Sequence, residues 1–259
     1  MHKLRLLSTK APKGTDKQAT KTLLKHMTKE IGDYQHALYA EKKQSLLVIF
    51  QGVDASGKDG STKKVFEECG TIGIDAFGFK KPTEEEFAHD FLWRIHKRAP
   101  AKGYIQIFNR SHYEDIIIQR VHKWIDLKRV KQRMDAINAF EQLLEFDNNT
   151  KVLKFYMHIS KEKQRVKLQE RIDDPTRNWK HNSVDWKEAL HWAEYMKAYE
   201  YAINSSVTPW HIVPVDQKWY RNFYIAKIVL QTLKKMNPQL PVLSVEDKRI
   251  MTEIQANLK

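Results

Sequence analysis

Gly52-Val-Asp-Ala-Ser-Gly-Lys-Asp-Gly60 follows almost directly on the apolar run Leu46-Leu-Val-Ile-Phe50. Gly52, Gly57 and Lys58 fit the spacing G-x-x-x-x-G-K. In that pattern a strand ends, glycines let successive backbone N–H groups turn toward an anion, and a helix N-terminus adds positive potential. The stretch therefore reads as a phosphate-binding loop, with Gly57, Asp59 and Gly60 among the residues whose N–H groups cradle the anion and Lys58 reaching the terminal phosphates. One feature departs from an ordinary nucleotide cradle. Asp59 stands where Ser or Thr would offer a hydroxyl to Mg²⁺, and a second carboxylate, Asp54, lies inside the loop. Two negative charges in a loop built for phosphate make sense when a divalent cation sits between them and the phosphates. Asp59 can equally serve as a helix cap, whereas Asp54, at the loop centre, favours a metal or catalytic role.

Outward from the loop, apolar runs and helical periodicity alternate along the chain. Strands are expected at 46–51, 75–79, 104–108, 152–159 and 210–215. Helices are expected at 21–41, 62–69, 84–97 with Thr83 as cap, 112–124, 130–147, 161–172, 186–203 and 219–236. This alternation predicts an α/β fold, a mostly parallel five-stranded sheet covered by helices on both faces, with the ligand site at the carboxyl ends of the strands. Residues 1–18 read as a loosely held basic arm and residues 19–259 as a single domain.

The composition, 41% hydrophobic and 30% charged with nine Gly and eight Pro, excludes a largely disordered chain. Cys69 is the single cysteine, so neither an intramolecular disulfide nor a cysteine metal site can form within one subunit; it reads as a small buried thiol near a helix end. The basic N-terminus lacks the apolar core of a secretory signal and no stretch is long enough to span a bilayer, which predicts a cytoplasmic protein without a membrane partner. The 45 Lys+Arg against 32 Asp+Glu give a net charge of +13, and such a balance favours a polyanionic partner.

A second loop, Asn109-Arg110-Ser111-His112-Tyr113-Glu114-Asp115, leaves the strand ending at Phe108 and can converge with the phosphate loop at the same edge of the sheet. Arg110 is placed to grip phosphate oxygens, or to pair with Glu114 or Asp115. Glu114 and Asp115 either complement a helix dipole or supply the magnesium-binding acid that P-loop enzymes keep opposite the loop. Arg120 and Lys123 belong to a basic series, with Lys128, Arg129, Lys131 and Arg133, that also fits a solvated face. In the segment 161–180, Lys163, Lys167 and Arg171 share one helical face, and Arg177 and Lys180 follow Pro175. Such a cationic helix pair behaves like the lid of a small-molecule kinase, extending over about 161–185, or is a basic surface helix. The seven tryptophans are mostly spaced like core or lid packing, with no aromatic platform for stacking single-stranded nucleic acid.

Several blocks together, Gly52–Gly60, Lys80-Lys-Pro-Thr-Glu-Glu-Glu, His89-Asp-Phe-Leu-Trp-Arg94, Phe108–Asp115, Arg171-Ile-Asp-Asp-Pro-Thr-Arg-Asn-Trp-Lys180 and Val213-Pro-Val-Asp-Gln-Lys-Trp-Tyr-Arg221, resemble those of the polyphosphate kinase 2 family over roughly residues 20–236. The resemblance implies a P-loop kinase three-layer sandwich like that of thymidylate kinase, with a helical lid. It also implies Mg²⁺ dependence, Mn²⁺ being a substitute, and reversible phosphoryl transfer between inorganic polyphosphate and nucleoside mono- or diphosphates such as AMP, ADP, GMP and GDP. Glu114-Asp115 and the His89–Arg94 block look like the subgroup that takes both classes of acceptor. Homodimers or homotetramers are usual in the family.

On that reading Asp54 and Asp115 hold the metal. Lys58, Arg110, Arg120, Lys123, Arg171 and Lys180 hold the phosphates, which accounts for the basic balance without nucleic acid. Two rival readings remain open at this level, an ATP-dependent nucleoside or nucleotide kinase and a non-enzymatic polyanion- or nucleic-acid-binding protein. Asp59 in place of Ser/Thr argues against the first, and the carboxylate inside the loop against the second.

Overall fold

Seven consecutive buried residues, Ser45–Gln51, form the central strand β1 of a five-stranded sheet. A computed structural model describes residues 1–257. The other strands are β2 (Ile74–Gly78), β3 (Ile105–Asn109), β4 (Thr150–His158) and β5 (Trp210–Pro214), in the spatial order β2-β3-β1-β4-β5. Every neighbouring pair is parallel, with Val48 level with Ile107 on one side and Leu153 on the other. Burial on both faces explains the unbroken apolar run in β1, whereas β2, at an edge, is mostly exposed. Phe50 stacks on Phe155 with ring centroids 5.4 Å apart; truncating either ring would cost about 3–5 kcal/mol.

The helices are α1 (Lys17–Glu41), α2 (Lys58–Val65), α3 (Glu84–Ala88), α4 (Trp93–His96), α5 (Glu114–Val121), α6 (Leu127–Asp147), α7 (Lys161–Asp173), α8 (Ser183–Leu190), α9 (Trp192–Ser205), α10 (Lys218–Met236) and α11 (Val245–Asn257). Side-chain caps start α1, α6 and α7, where Asp16, Asp126 and Ser160 accept from backbone N–H groups three residues on. The buried stripe Leu24, Ile31 and Leu38 seats α1 beside α10. Among the described residues no helix is long and apolar enough to cross a membrane.

The expected elements recur with four differences. The helix expected at 84–97 is two short pieces, because His89 is extended and Asp90 starts a new turn, its Oδ1 accepting from Leu92 N at 2.9 Å. The helix expected at 186–203 is broken at His191 into α8 and α9. Helix α2 begins at Lys58, with no gap after the phosphate loop, and ends at Val65, leaving Cys69 in a turn, where burial pushes its thiol up to about 12. Residues 1–11 are not loosely held. Leu4 is fully buried, Leu4 N donates to Glu200, and Thr9 and Ala11 are bound to Asp216 and Gln217.

Candidate active site

The loop after β1 reaches α2 through two left-handed residues, Ala55 (φ 62°) and Gly57 (φ 94°). Glycine adopts this conformation freely; at Ala55 it costs on the order of 1 kcal/mol, strain of the kind that concentrates at functional sites. Lys58 is buried and folds back on its own loop, donating from Nζ to the carbonyl oxygens of Gly52 at 2.7 Å and Val53 at 3.2 Å. Burial pulls its ammonium below the usual lysine range against the opposing pull of Asp54. A phosphate in the loop can take over those hydrogen bonds.

The turn after β3 brings the second loop to the first. Arg110 is itself left-handed (φ 65°), and its Nη2 donates to Asp54 Oδ1 at 2.6 Å. Burial tends to raise the Asp54 carboxyl, but Lys58, Arg110 and Arg171 together hold it below the usual carboxylate range. Glu114 accepts from Gln51 Nε2 at 2.8 Å, and burial raises its carboxyl against the pull of Arg110. Thr62 Oγ1 ties α2 to Asn109 Oδ1 at 3.0 Å, and Gln164 Nε2 of α7 donates to the Asp54 carbonyl at 3.1 Å. The structure thus gathers Asp54, Lys58, Arg110 and Glu114 around one point at the carboxyl end of the sheet.

Asp115 faces a different set of groups. Its carboxylate accepts from Gln119 Nε2 at 2.9 Å and from Arg94 Nη2 at 3.4 Å, while its carbonyl accepts from Arg133 Nη1 at 2.9 Å. Burial raises this carboxyl against the pull of Arg94 and Arg133. Arg94 is buried, and Arg133, half-buried, lies with its guanidinium 5.0 Å from the Phe91 ring centre. Arg133 belongs to the basic series that sequence leaves open between phosphate binding and a solvated face; the signal that it is held is its register on α6, three residues after the buried Val130 and four before the buried Ile137.

In α7, Arg171 pairs with Asp185 at 2.5 Å and donates to the carbonyl of Lys180. Lys180 itself is exposed, 4.8 Å above the Trp179 ring, which is 79% exposed, so this tryptophan belongs to neither core nor lid packing. Arg120 lies over the Tyr201 ring and Lys123 is exposed at the end of α5; neither lines the cleft. Asp59 and Gly60 are exposed in the first turn of α2.

These elements enclose a cleft of about 890 Å³. Its lining carries one charged group of Asp54, Arg110 and Glu114 and another of Asp115, Arg94 and Arg133; Phe79, Ile118, Trp124 and Trp192 supply apolar wall. A charged end beside an apolar wall suits a molecule with phosphates at one end and a flat ring at the other. Among the described residues no three His, Cys, Asp or Glu side chains cluster as a protein-only metal cage. Mg²⁺ does not need one, since it takes one or two carboxylates plus phosphate oxygens and keeps its waters, and the ionised Asp54 beside the phosphate loop fits that role.

The Polyphosphate kinase 2 (PPK2) family model matches residues 14–241. The chain is 39% identical over 240 residues to the AMP/ADP-polyphosphate phosphotransferase of Meiothermus ruber, covering 92% of this chain and 90% of that protein. It is 33% identical over 251 residues to the ADP-polyphosphate phosphotransferase of Rhodopseudomonas palustris, covering 91% and 86%. The crystal structure of polyphosphate kinase 2 from Arthrobacter aurescens TC1 superposes with a TM-score of 0.91 at 35% identity, covering 97% of this chain and 92% of that one. With a family match over most of its length and this extent of likeness, the chain belongs to the polyphosphate kinase 2 family.

Proposed function

We propose that the protein is a polyphosphate-dependent nucleotide kinase, catalysing Mg²⁺-dependent, reversible transfer of a phosphoryl group from inorganic polyphosphate to nucleoside mono- and diphosphates, AMP and ADP foremost and GMP and GDP with them. The observation that carries this reading is the Asp54–Arg110 pair above the phosphate loop, a carboxylate and a guanidinium set between the donor cradle and the cleft. The names of the Meiothermus and Rhodopseudomonas relatives support the choice of acceptors.

In this reading the loop N–H groups and Lys58 bind the terminal phosphates of the donor, and Arg110 steadies the acceptor phosphate beside them. Asp54 would hold Mg²⁺, which when bound offsets the repulsion between donor and acceptor phosphates. The acceptor oxygen is already ionised at neutral pH, so no protein nucleophile or strong base is required; positioning and charge stabilisation supply the catalysis. Asp115 aligns Arg94, Gln119 and Arg133, and Glu114 shares the field of Arg110 and Lys58. Arg171 and Lys180 close over the phosphates when the lid moves. The family resemblance adds a cytoplasmic homodimer or homotetramer, which sedimentation of the purified protein would test.

The test of function is incubation with Mg²⁺, long-chain polyphosphate and each of AMP, ADP, GMP and GDP, with nucleotide products separated by chromatography. ADP and ATP are the expected products of the adenine acceptors. No product from any acceptor, together with ATP-driven phosphorylation of a nucleoside or nucleotide, would overturn the reading.

A further inference from the structure

The Asp54 carbonyl belongs to the peptide that leads into Ala55, whose backbone is left-handed (φ 62°). Rotating that peptide would relax Ala55 and unsettle the loop from which the Asp54 carboxylate meets Arg110. Gln164 of α7 opposes the rotation. It is 2% exposed and donates from Nε2 to this carbonyl at 3.1 Å. A hydrogen bond of ordinary strength is comparable with the strain of one left-handed alanine, so the contact decides which way the peptide faces.

Gln164 is itself held in place. It stands in the first turn of α7, where its N–H donates to the Ser160 carbonyl at 2.9 Å and the Ser160 hydroxyl caps Lys163 N. Ser160 N donates to Asp216 Oδ1 at 2.9 Å, across to the turn after β5. Asp216 Oδ2 accepts from the Thr9 hydroxyl at 2.7 Å, and Asp216 N donates to the Thr9 carbonyl at 3.0 Å. Both carboxylate oxygens are therefore spent on joining two segments of chain to each other. Thr9 lies on an arm anchored to either side of it: Leu4 is fully buried with its N–H on Glu200 Oε1 at 2.7 Å, and Ala11 N donates to Gln217 Oε1 at 2.7 Å. His2 and Asn204 add a reciprocal pair of hydrogen bonds at 2.6 and 2.9 Å.

We propose that Gln164 and Asp216 are positioning residues for Asp54, Gln164 by holding its carbonyl and Asp216 by fixing the first turn of α7, with the arm of residues 1–11 keeping Asp216 in place through Thr9. This rests on the reading of Asp54 as the carboxylate that holds Mg²⁺ in the transfer reaction. Thr9, Ser160 and Asp216 offer no positive charge to a phosphate; what they supply is alignment of a metal-binding group, so their loss is read in kcat and in metal affinity and not in KM for either substrate.

The test compares Gln164→Leu, Asp216→Asn, Thr9→Val and Thr9→Ser in the full chain, with thermal melting of each. Gln164→Leu removes the donor to Asp54, Asp216→Asn leaves an oxygen for only one of its two partners, and Thr9→Val removes a hydroxyl that Thr9→Ser retains. Gln164→Leu is expected to lower kcat about tenfold, and Asp216→Asn and Thr9→Val about threefold, the span of one ordinary hydrogen bond, while KM for polyphosphate and for ADP stays within about twofold and Thr9→Ser matches wild type. Independently of turnover, Mn²⁺ affinity in the presence of ADP, followed by loss of the free-ion paramagnetic resonance signal, should fall about threefold in Gln164→Leu. Unchanged kcat and Mn²⁺ affinity in Gln164→Leu would overturn the proposal, as would a lowered melting temperature without either change, or an equal loss in Thr9→Ser and Thr9→Val. If the wild type transfers nothing from polyphosphate, the proposed function has failed, and the Mn²⁺ titration alone then decides whether Gln164 serves Asp54.

Discussion

Arg110 Nη2 meets Asp54 Oδ1 at 2.6 Å, joining the loop after β3 to the loop after β1 across 56 residues of chain. The pair is stable because β1 and β3 are hydrogen-bonded neighbours with Phe50 level with Asn109, so both turns leave the sheet at the same height. Arg110 is 39% exposed, and the bond as a prop for the fold is worth little; its value lies in holding both charges in register for a ligand.

Asp54→Asn should therefore leave the melting temperature nearly unchanged and lower kcat by about two orders of magnitude, the cost of losing one preorganised charge at the reacting groups. It should also raise the Mg²⁺ concentration needed for half-maximal rate. Asp115→Asn should leave that Mg²⁺ requirement unmoved and instead raise KM for the nucleotide, because its partners are Arg94, Gln119 and Arg133. A metal titration of the two variants separates the roles; the same shift in both would return Asp115 to the metal.

Gly57 combines a left-handed backbone with direct apposition to Arg221. Gly57→Ala should destabilise the protein by about 2 kcal/mol or more, since strain and collision add. Arg221→Ala in the same chain should recover the collision but not the strain. A double-mutant cycle read by chemical denaturation checks this, and strict additivity would show that the two residues do not meet.

Glu141 and Lys154 are fully buried, 2.6 Å apart, with the Tyr113 hydroxyl donating to Glu141 at 3.0 Å. They lie behind the cleft and outside its lining. Lys154→Met leaves a buried carboxylate without its cation and should cost about 3–5 kcal/mol, whereas Lys154→Met with Glu141→Gln should recover part of the loss. Both proteins, where folded, should keep the wild-type KM for donor and acceptor.

Lys167 on α7 gives the fold a pH signature. Its folded value of about 8 lies below the ordinary 10.5, so its charge is lost as pH rises through 8. The groups facing it are Arg221 from α10, Lys163 and Glu170 on its own helix, and Asp216 from the turn after β5. The ammonium is disfavoured on folding, so the penalty it imposes is present below 8 and is relieved as pH climbs toward 10.5.

Much of this was legible in the residues. Leu46–Phe50 reads as a strand buried on both faces, and the glycines and Lys58 behind it have the spacing of an anion cradle. Asp54 and Arg110 were identifiable because each stands one loop beyond a strand end in a parallel sheet. What stayed hidden depends on packing. Arg120 and Lys123 have the right charge but α5 turns them toward Tyr201 and solvent. Asp115 differs from Glu114 by one residue, about 100° of helix, and that rotation gives it Arg94 instead of the phosphate loop. The break at His89–Leu92 comes from a local side-chain turn at Asp90, which helical periodicity does not report. Arg221 carried a usable signal, its apolar spacing with Ile225, Val229 and Leu233, which places a cation on a buried face.

The order β2-β3-β1-β4-β5 runs a seam through the molecule at β1. On one flank, the segments after β2 and β3 carry Arg94, Arg110 and Asp115, which the proposed function sets beside the acceptor; on the other, those after β4 and β5 carry the cations Lys163, Lys167, Arg171 and Arg221. Only the loop of β1 answers to both flanks, with α8 and α9 reaching over to roof the acceptor side. The taste for a given acceptor and the taste for a given length of donor can therefore drift apart over generations. A chimaera that imports the stretch from β2 through α5 from a relative should inherit that relative's acceptor preference while keeping its own response to chain length; co-transfer of both traits would show that the seam does not divide them.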